Sequence, residues 1–140
     1  MNRFRTTAVL SHVLAWISFG ITIASAADSE DRKKLVEMAQ KEASVVFYTS
    51  MDAGDARSLT QGFQQKYPGI KTDFYRAGRE AVFSRFALEQ KASRYVTDVV
   101  SVGEFHILEM KKQGLITRYL SPETQAFTPE FKDPQGYWTC

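Results

Sequence analysis

The chain has 140 residues, 44% of them hydrophobic and 13% aromatic, which is typical of one folded domain and excludes a disordered chain. Its 18 basic and 16 acidic residues give a net charge of +2, without the basic stripe that nucleic-acid binding requires. The single cysteine, Cys140, has no partner for an internal disulfide, and no metal-ligand motif is present.

The N-terminus has the pattern of a secretory signal peptide. Arg3 and Arg5 precede a largely apolar run over residues 8–24, and residues 24–26 (ASA) supply the small side chains that a signal peptidase recognises. We therefore predict export to the periplasm, with cleavage after Ala26.

The predicted domain covers residues 27–140. Cleavage would remove two of the 18 basic residues and no acidic ones, leaving 16 of each, so the exported chain would be neutral. An uncleaved membrane anchor is the alternative interpretation. Polar residues interrupt the apolar run, however, which falls short of the ~20 apolar residues that a spanning helix needs.

The first half of the domain alternates helix and strand signals. A helix is predicted over residues 30–43, and residues 44–49 (SVVFYT) read as a strand buried on both faces. After turn-forming residues 50–54, apolar side chains recur at helical spacing from Asp55 onward, and a second strand is predicted over 70–75. The apolar positions of that second helix are Ala56, Leu59, Phe63 and Tyr67.

The second half continues the alternation. A helix is predicted from Arg79, a third strand over 95–102, and a further helix from Gly103, with Phe105, Leu108 and, as a third candidate, Met110 turned inward. Gly114 fits a left-handed helix end. Residues 121–136 are predicted to be loop-like, and a new strand is predicted to begin at residues 137–139.

This order predicts an α/β fold with three layers, in which helices cover both faces of a mostly parallel sheet. Ligands of such open sheets bind beyond the carboxyl ends of the strands, near the switch in strand order. The loops expected to carry a site are therefore 50–54, 76–80 and 101–104.

Candidate ligand-binding residues lie in the first of these loops. Thr49, Ser50, Met51 and Asp52 supply hydroxyls and backbone amides that suit a carboxylate, sulfonate or phosphonate group. The alternative is that Ser50 or Asp52 only caps the following helix, a role worth ~1 kcal/mol without any ligand.

The other two loops supply further candidates. Gly78 and Arg79 open a helix whose first N–H groups and dipole attract an anion, with Arg79 as a possible bidentate contact. Ser101 and Gly103 offer a third group of amides. Plain turn and capping roles are the alternatives at each position. Structural roles are favoured for Asp98, at the entering end of its strand, and for His106.

Several segments, in order along the chain, resemble bacterial extracellular solute-binding proteins of ABC importers, in the branch for ferric iron and related ligands. The matching segments are 34–42 (KLVEMAQKE), 45–50 (VVFYTS), 63–71 (FQQKYPGIK), 97–101 (TDVVS) and 131–138 (FKDPQGYW). The resemblance implies a periplasmic-binding-protein clamshell, of which this chain would be the truncated first half-lobe.

The resemblance also implies a function and partners. A monomeric receptor would capture a small solute, either an anionic organic molecule or a ferric species, and deliver it to an inner-membrane ABC permease. An exported ligand-sensing module for a membrane regulator and a non-functional truncated product are the alternatives. No enzyme is expected, since the chain has no phosphate-binding loop or nucleophile elbow, and neither a metal nor a cofactor is predicted.

Overall fold

The computed structural model describes residues 22–140, so most of the predicted signal peptide lies outside the described residues. Helix α1 covers Thr22–Glu42 and begins earlier than the sequence pattern predicts. Within residues 22–140 no helix is long and apolar enough to cross a membrane. The chain divides into two compact units between Met38 and Ala39, and the description below concerns the second unit.

Strands and helices alternate through that unit in the predicted order. The elements are β1 (Ser44–Thr49), α2 (Ala53–Lys66), β2 (Lys71–Arg76), α3 (Arg79–Lys91), β3 (Val99–Ser101) and α4 (Glu104–Lys112). Two short 3-10 turns follow, at Pro122–Ala126 and Pro129–Phe131.

In the described part of the chain, the three strands form one parallel sheet in the order β2-β1-β3. The register pairs Thr49 of β1 with Arg76 on one side and with Ser101 on the other. Helix α2 connects the central strand β1 to β2 on one side of it. Helix α3 then connects β2 to β3, so the chain crosses the sheet in the opposite direction, past β1. Right-handed crossovers then place these two helices on opposite faces of the sheet. The predicted α/β arrangement is confirmed.

One face of the sheet packs against α3 and α4. The core here consists of Tyr48, Val82, Phe86 and Met110, each at most 4% exposed. Full burial of an apolar side chain of this size contributes roughly 1.5–3 kcal/mol. This cluster therefore fixes both helices against the central strand.

The opposite face packs against α2, as the alternation of side chains along β1 requires. Ala56 and Thr60 are the buried residues of this helix, and Thr72 of β2 donates its hydroxyl to the Thr60 carbonyl at 3.4 Å. Leu59, predicted to be packed, is 56% exposed. The contact stripe runs through positions 56 and 60, and Leu59 lies on the flank of the helix away from Thr60.

The third strand is shorter than predicted, covering Val99–Ser101 instead of residues 95–102. Asp98 explains where it begins: its backbone N–H donates to the Val46 carbonyl at 3.0 Å, and its carboxylate accepts from the Val46 N–H at 2.8 Å. A side chain thus takes the place of a backbone partner at the end of the ladder. The structural role expected for Asp98 is confirmed.

The inward face of α4 also differs from the prediction. Phe105 and Leu108 are 76% and 46% exposed, whereas Met110, the third inward candidate, is fully buried as expected, and Ile107 packs against the core. The sequence pattern alone does not fix the rotation of so short a helix. The core cluster selects the stripe of Ile107 and Met110. Gly114, with φ +67, ends the helical region in the left-handed conformation, as predicted.

Residues 137–139 do not begin a strand. Thr139 forms an isolated antiparallel bridge with Lys132, because the intervening residues turn back on Asp133. The Asp133 carboxylate accepts from the Tyr137 N–H at 3.0 Å and from Lys111 Nζ at 3.0 and 3.1 Å. This buried aspartate fastens the C-terminal turn to the end of α4.

Candidate functional site

The three predicted loops meet at the carboxyl edge of the sheet. The Ser50 N–H donates to the Ser101 carbonyl at 3.0 Å, which joins the loop after β1 to the end of β3. The Ala77 N–H donates to the Thr49 carbonyl at 3.3 Å, which joins the loop after β2 to β1. The loops after β1 and β3 then diverge, since they lead to helices on opposite faces, and the switch point lies between them.

Residues of the β1 loop are occupied in holding the loop itself. Thr49 is fully buried, and its hydroxyl accepts from the Met51 N–H at 3.1 Å. Arg76 Nε donates to the Met51 carbonyl at 3.1 Å. The N–H groups of Ser50 and Met51, expected as ligand donors, are therefore both bonded within the protein. This loop forms a rigid wall with side chains at its surface.

Asp52 is the N-cap of α2. Its Oδ1 accepts from the Gly54 N–H at 2.7 Å, and its carbonyl accepts from the Ala56 N–H at 3.0 Å. The structure thus shows the capping role that the sequence left open for Asp52. A carboxylate at this position satisfies the helix start and leaves α2 without an uncapped end.

The starts of α3 and α4 are arranged differently. Their N-caps are Gly78 and Gly103, and at neither start does a side chain of a described residue make a capping hydrogen bond. The first intrahelical bonds run to the carbonyls of these glycines, from Val82 at 3.0 Å in α3 and from His106 at 2.9 Å in α4. The N–H groups of the residues in between point out of the helix starts without intrahelical acceptors.

Backbone geometry does not require glycine at either position. Gly78 has φ −62 and ψ 154, and Gly103 has φ −62 and ψ 151, which any residue adopts. A Cβ on Gly78 would meet no atom within 4 Å. Serine or aspartate would cap these helices better. The effect of glycine here is to leave both helix starts uncovered.

Arg79 brings a cation to the same place. Its side chain lies across Gly103: Cδ and Nε are 3.4 and 3.6 Å from where a Cβ of that residue would be. Arg79 makes no hydrogen bond or ion pair with another residue of the described chain. A guanidinium beside two helix N-termini concentrates positive potential, because both dipoles point their positive ends toward it.

A second contact links the two helices. Glu80, in the first turn of α3, contacts His106 Nε2 of α4 through Oε2 at 2.9 Å. The His106 side chain is 13% exposed and lies against the rings of Phe83 and Phe105, with centroids at 5.5 and 5.7 Å. This contact joins the first turns of the two helices, beside their uncapped starts.

A polar cluster supports β1 on the α3 face. The Tyr48 hydroxyl donates to the Glu89 carboxylate, with both oxygens at 3.0 Å, and Arg85 binds the same carboxylate at 3.0 Å while stacking on the rings of Tyr48 and Tyr75. Burial, together with the neighbouring carboxylate, raises the pKa of Tyr48 above its ordinary value of 10.0. Because Arg85 offsets the negative charge of Glu89, this carboxylate can accept a hydrogen bond from the buried Tyr48 hydroxyl.

Sequence reasoning placed the three loops at one edge of the sheet, as in the structure, but it did not identify two contacts made there. Arg76 holds the β1 loop, and the parallel register could have revealed this, since it faces Thr49 at the strand ends. The contact of His106 with Glu80 has no sequence signal, because the two residues are 26 positions apart on different helices. Among the described residues, no group of three or more histidine, cysteine or acidic side chains could hold a metal ion.

Comparison with solved structures relates this chain to iron-binding proteins. Iron-bound HitA from Pseudomonas aeruginosa is 25% identical and superposes with a TM-score of 0.58 over 67% of this chain. The superposed part of this chain has the fold of part of a ferric binding protein. The ferric binding protein from Campylobacter jejuni, 19% identical, superposes with a TM-score of 0.57 over 66% of it. The resemblance that the sequence segments suggested is confirmed.

The match covers 30% of HitA and 29% of the Campylobacter ferric binding protein, so this chain spans less than a third of either relative. A scan against protein-family models and a search of curated proteins found no match.

Proposed function

We propose that this protein is part of a periplasmic solute-binding protein of an ABC importer, and that it captures a small solute through an anionic group. The observation that carries the proposal is the pair of uncapped helix starts at Gly78 and Gly103, with the Arg79 side chain between them. The structural similarity to iron-bound HitA and to a ferric binding protein supports the same interpretation.

The chemistry of the two uncapped helix starts, with Arg79 beside them, favours an anion. Backbone N–H groups at a helix start donate to oxygen ligands, and the helix dipole stabilises negative charge there. Arg79 adds the planar pair of donors that suits a carboxylate or phosphate. Capped α2, by contrast, already holds a carboxylate at its start, that of Asp52. The ligand is expected at α3 and α4, with the surface of the β1 loop, including Ser50, as a side wall.

Two solute classes fit this proposal. An anionic organic molecule would bind directly to the helix starts, whereas a ferric species would bind as a complex whose anionic ligand occupies the same donors. The second class is supported by the iron-bound relative. In either class the group recognised by residues 78–79 and 103 is an anion, and the permease partner and export remain part of the proposal.

A titration followed by two-dimensional NMR tests the anion site. Citrate, phosphate and ferric citrate are added to the labelled protein at constant ionic strength, with chloride as the control anion. We expect the amide signals of Arg79 and Glu104 to shift with one dissociation constant. Arg79→Ala should weaken binding by roughly 10- to 100-fold, since a hydrogen bond to a charged group is worth ~1.5–3 kcal/mol.

Aspartate substitutions provide the opposing experiment. Gly78→Asp and Gly103→Asp should cap the helices with a carboxylate and abolish anion binding. Gly62→Asp is the matched control, because Gly62 lies within α2, and a Cβ there would also meet no atom within 4 Å. Unchanged affinity in Gly78→Asp and Gly103→Asp, or no shift in the unsubstituted protein with any of the three probes, would refute the proposal.

A further inference from the structure

We infer that the Glu80–His106 bridge is a positioning contact that holds the two uncapped helix starts as one binding unit. This inference rests on the proposed function and adds to it a pair of residues that do not touch the ligand. Glu80 Oε2 and His106 Nε2 are 2.9 Å apart, each within the first turn of its helix. The bridge therefore acts on the first turns of α3 and α4, and a small displacement of either turn would redirect its free backbone N–H groups.

The packing around the two residues shows which side is fixed. His106 is largely buried between Phe83 of α3 and Phe105 of its own helix. The Glu80 side chain is 82% exposed, and its carboxylate contacts the His106 imidazole. The buried histidine thus serves as an anchor on α4, and Glu80 ties the start of α3 to it.

A second contact makes the spacing specific. The Arg79 side chain crosses to Gly103, where its Cδ lies 3.4 Å from the position that a Cβ of that residue would occupy. Arg79 directly precedes Glu80, and Gly103 lies three residues before His106. Arg79 and Glu80, two successive residues of α3, thus each reach across to the start of α4. Losing the bridge would leave the start of α3 held to α4 by the Phe83–His106 ring contact and the flexible arginine side chain, and an anion that needs donors from both helices would lose part of its contacts.

The charge of Glu80 allows positioning to be separated from electrostatics. A carboxylate near a bound anion repels it, so removal of the charge alone should strengthen binding. Glu80→Gln removes the charge but keeps a side chain that can hydrogen bond to the imidazole, whereas Glu80→Ala removes both. A positioning role therefore predicts opposite results for these two variants at the same site.

The test is a titration with citrate and with phosphate at constant ionic strength. We expect Glu80→Ala and His106→Ala to bind about three- to tenfold more weakly than the unsubstituted protein, a range in keeping with the modest worth of an exposed pair. Glu80→Gln should bind as well or better. If Glu80→Ala binds as tightly as Glu80→Gln, or if neither alanine variant loses affinity, the inference is overturned.

Amide hydrogen exchange without ligand decides the same question independently of the proposed function. The N–H groups of Val82 and Ile107 close the first turns of α3 and α4, on the carbonyls of Gly78 and Gly103. Both should exchange faster in Glu80→Ala and at the original rate in Glu80→Gln. Unchanged exchange in Glu80→Ala would overturn the inference, even where an anion binds. Faster exchange in a protein that binds no anion would refute the proposed function alone.

Discussion

Replacing Tyr48 by phenylalanine removes one oxygen atom from the centre of the sheet. Tyr48 is 1% exposed, and its hydroxyl donates to the Glu89 carboxylate. The aromatic ring, its burial and its contact with Arg85 all remain in the variant. The change in stability therefore reports one hydrogen bond to a charged acceptor, a bond worth ~1.5–3 kcal/mol.

The lower half of that range is expected. Glu89 keeps a second partner, since Arg85 Nε binds the same carboxylate at 3.0 Å, and the carboxylate is not left unpaired. A loss of ~2 kcal/mol in the free energy of unfolding corresponds to a decrease of roughly 8 °C in Tm for a domain of this size. Urea unfolding at neutral pH, followed by circular dichroism, measures the loss directly.

Tyr95→Phe is the matched control, because Tyr95 is 76% exposed and the chemical change is identical. Its free energy of unfolding should change by less than ~0.5 kcal/mol. Equal stability losses in Tyr48→Phe and Tyr95→Phe would show that the buried hydroxyl contributes nothing beyond ordinary hydration.

The pH dependence of the Tyr48 effect provides a second check. Burial raises the pKa of Tyr48 above 10.0, so the folded state favours the protonated hydroxyl. That contribution is complete below about pH 10, the unfolded pKa, and is lost as the pH rises through the raised pKa of the folded state. The stability difference between the unsubstituted protein and Tyr48→Phe should therefore shrink above pH 10, and a constant difference would refute the reasoning.

Three further predictions address the scaffold. Asp98→Ala should lower the free energy of unfolding by ~1–3 kcal/mol in urea titrations, because the Val46 N–H loses its acceptor. Asp98→Asn should keep most of the stability, and similar losses in both variants would contradict a role for this hydrogen bond. Met110→Ala should lower the free energy of unfolding by ~2–5 kcal/mol, and Leu108→Ala should lower it far less, because Met110 is fully buried and Leu108 is 46% exposed. Equal losses in the two variants would show that Met110 is not part of the core. Although burial opposes it, the hydrogen bond from Lys111 lowers the pKa of Asp133, so this carboxylate stabilises the fold above about pH 4, its unfolded pKa, and loses that effect as the pH falls. Melts at decreasing pH should bring Asp133→Asn and the unsubstituted protein together, and a difference that does not shrink as the pH falls below about 4 would refute the assignment.

The order and type of the elements could be predicted because they follow from local patterns. Residues 44–49 carry a run of β-branched and aromatic side chains that favours a strand wherever it lies, and the predicted bounds of β1 match the structure. The apolar stripe of α3, including Val82 and Phe86, is equally local. Parallel pairing follows from the length of the connections.

Predictions failed where long-range partners decide the outcome. The β3 strand begins at Val99 because Asp98 bonds to Val46, 52 residues away, and no local pattern reveals that exchange of partners. The orientation of α4 is set by the pocket that receives Met110, and Phe105 is consequently exposed. Apolar residues on a short helix allow more than one rotation, and only packing selects among them.

The sequence by itself determined the α/β alternation and the three loops that meet at one edge of the sheet, because strand periodicity and turn residues act over a few positions. Only the tertiary structure decided which loop residues are available. It buried Thr49, made Asp52 a cap, and placed Arg79 against Gly103. The physical reason is that a hydrogen-bond donor is open to a ligand only when folding leaves it without an internal acceptor, and that depends on residues far apart in the chain.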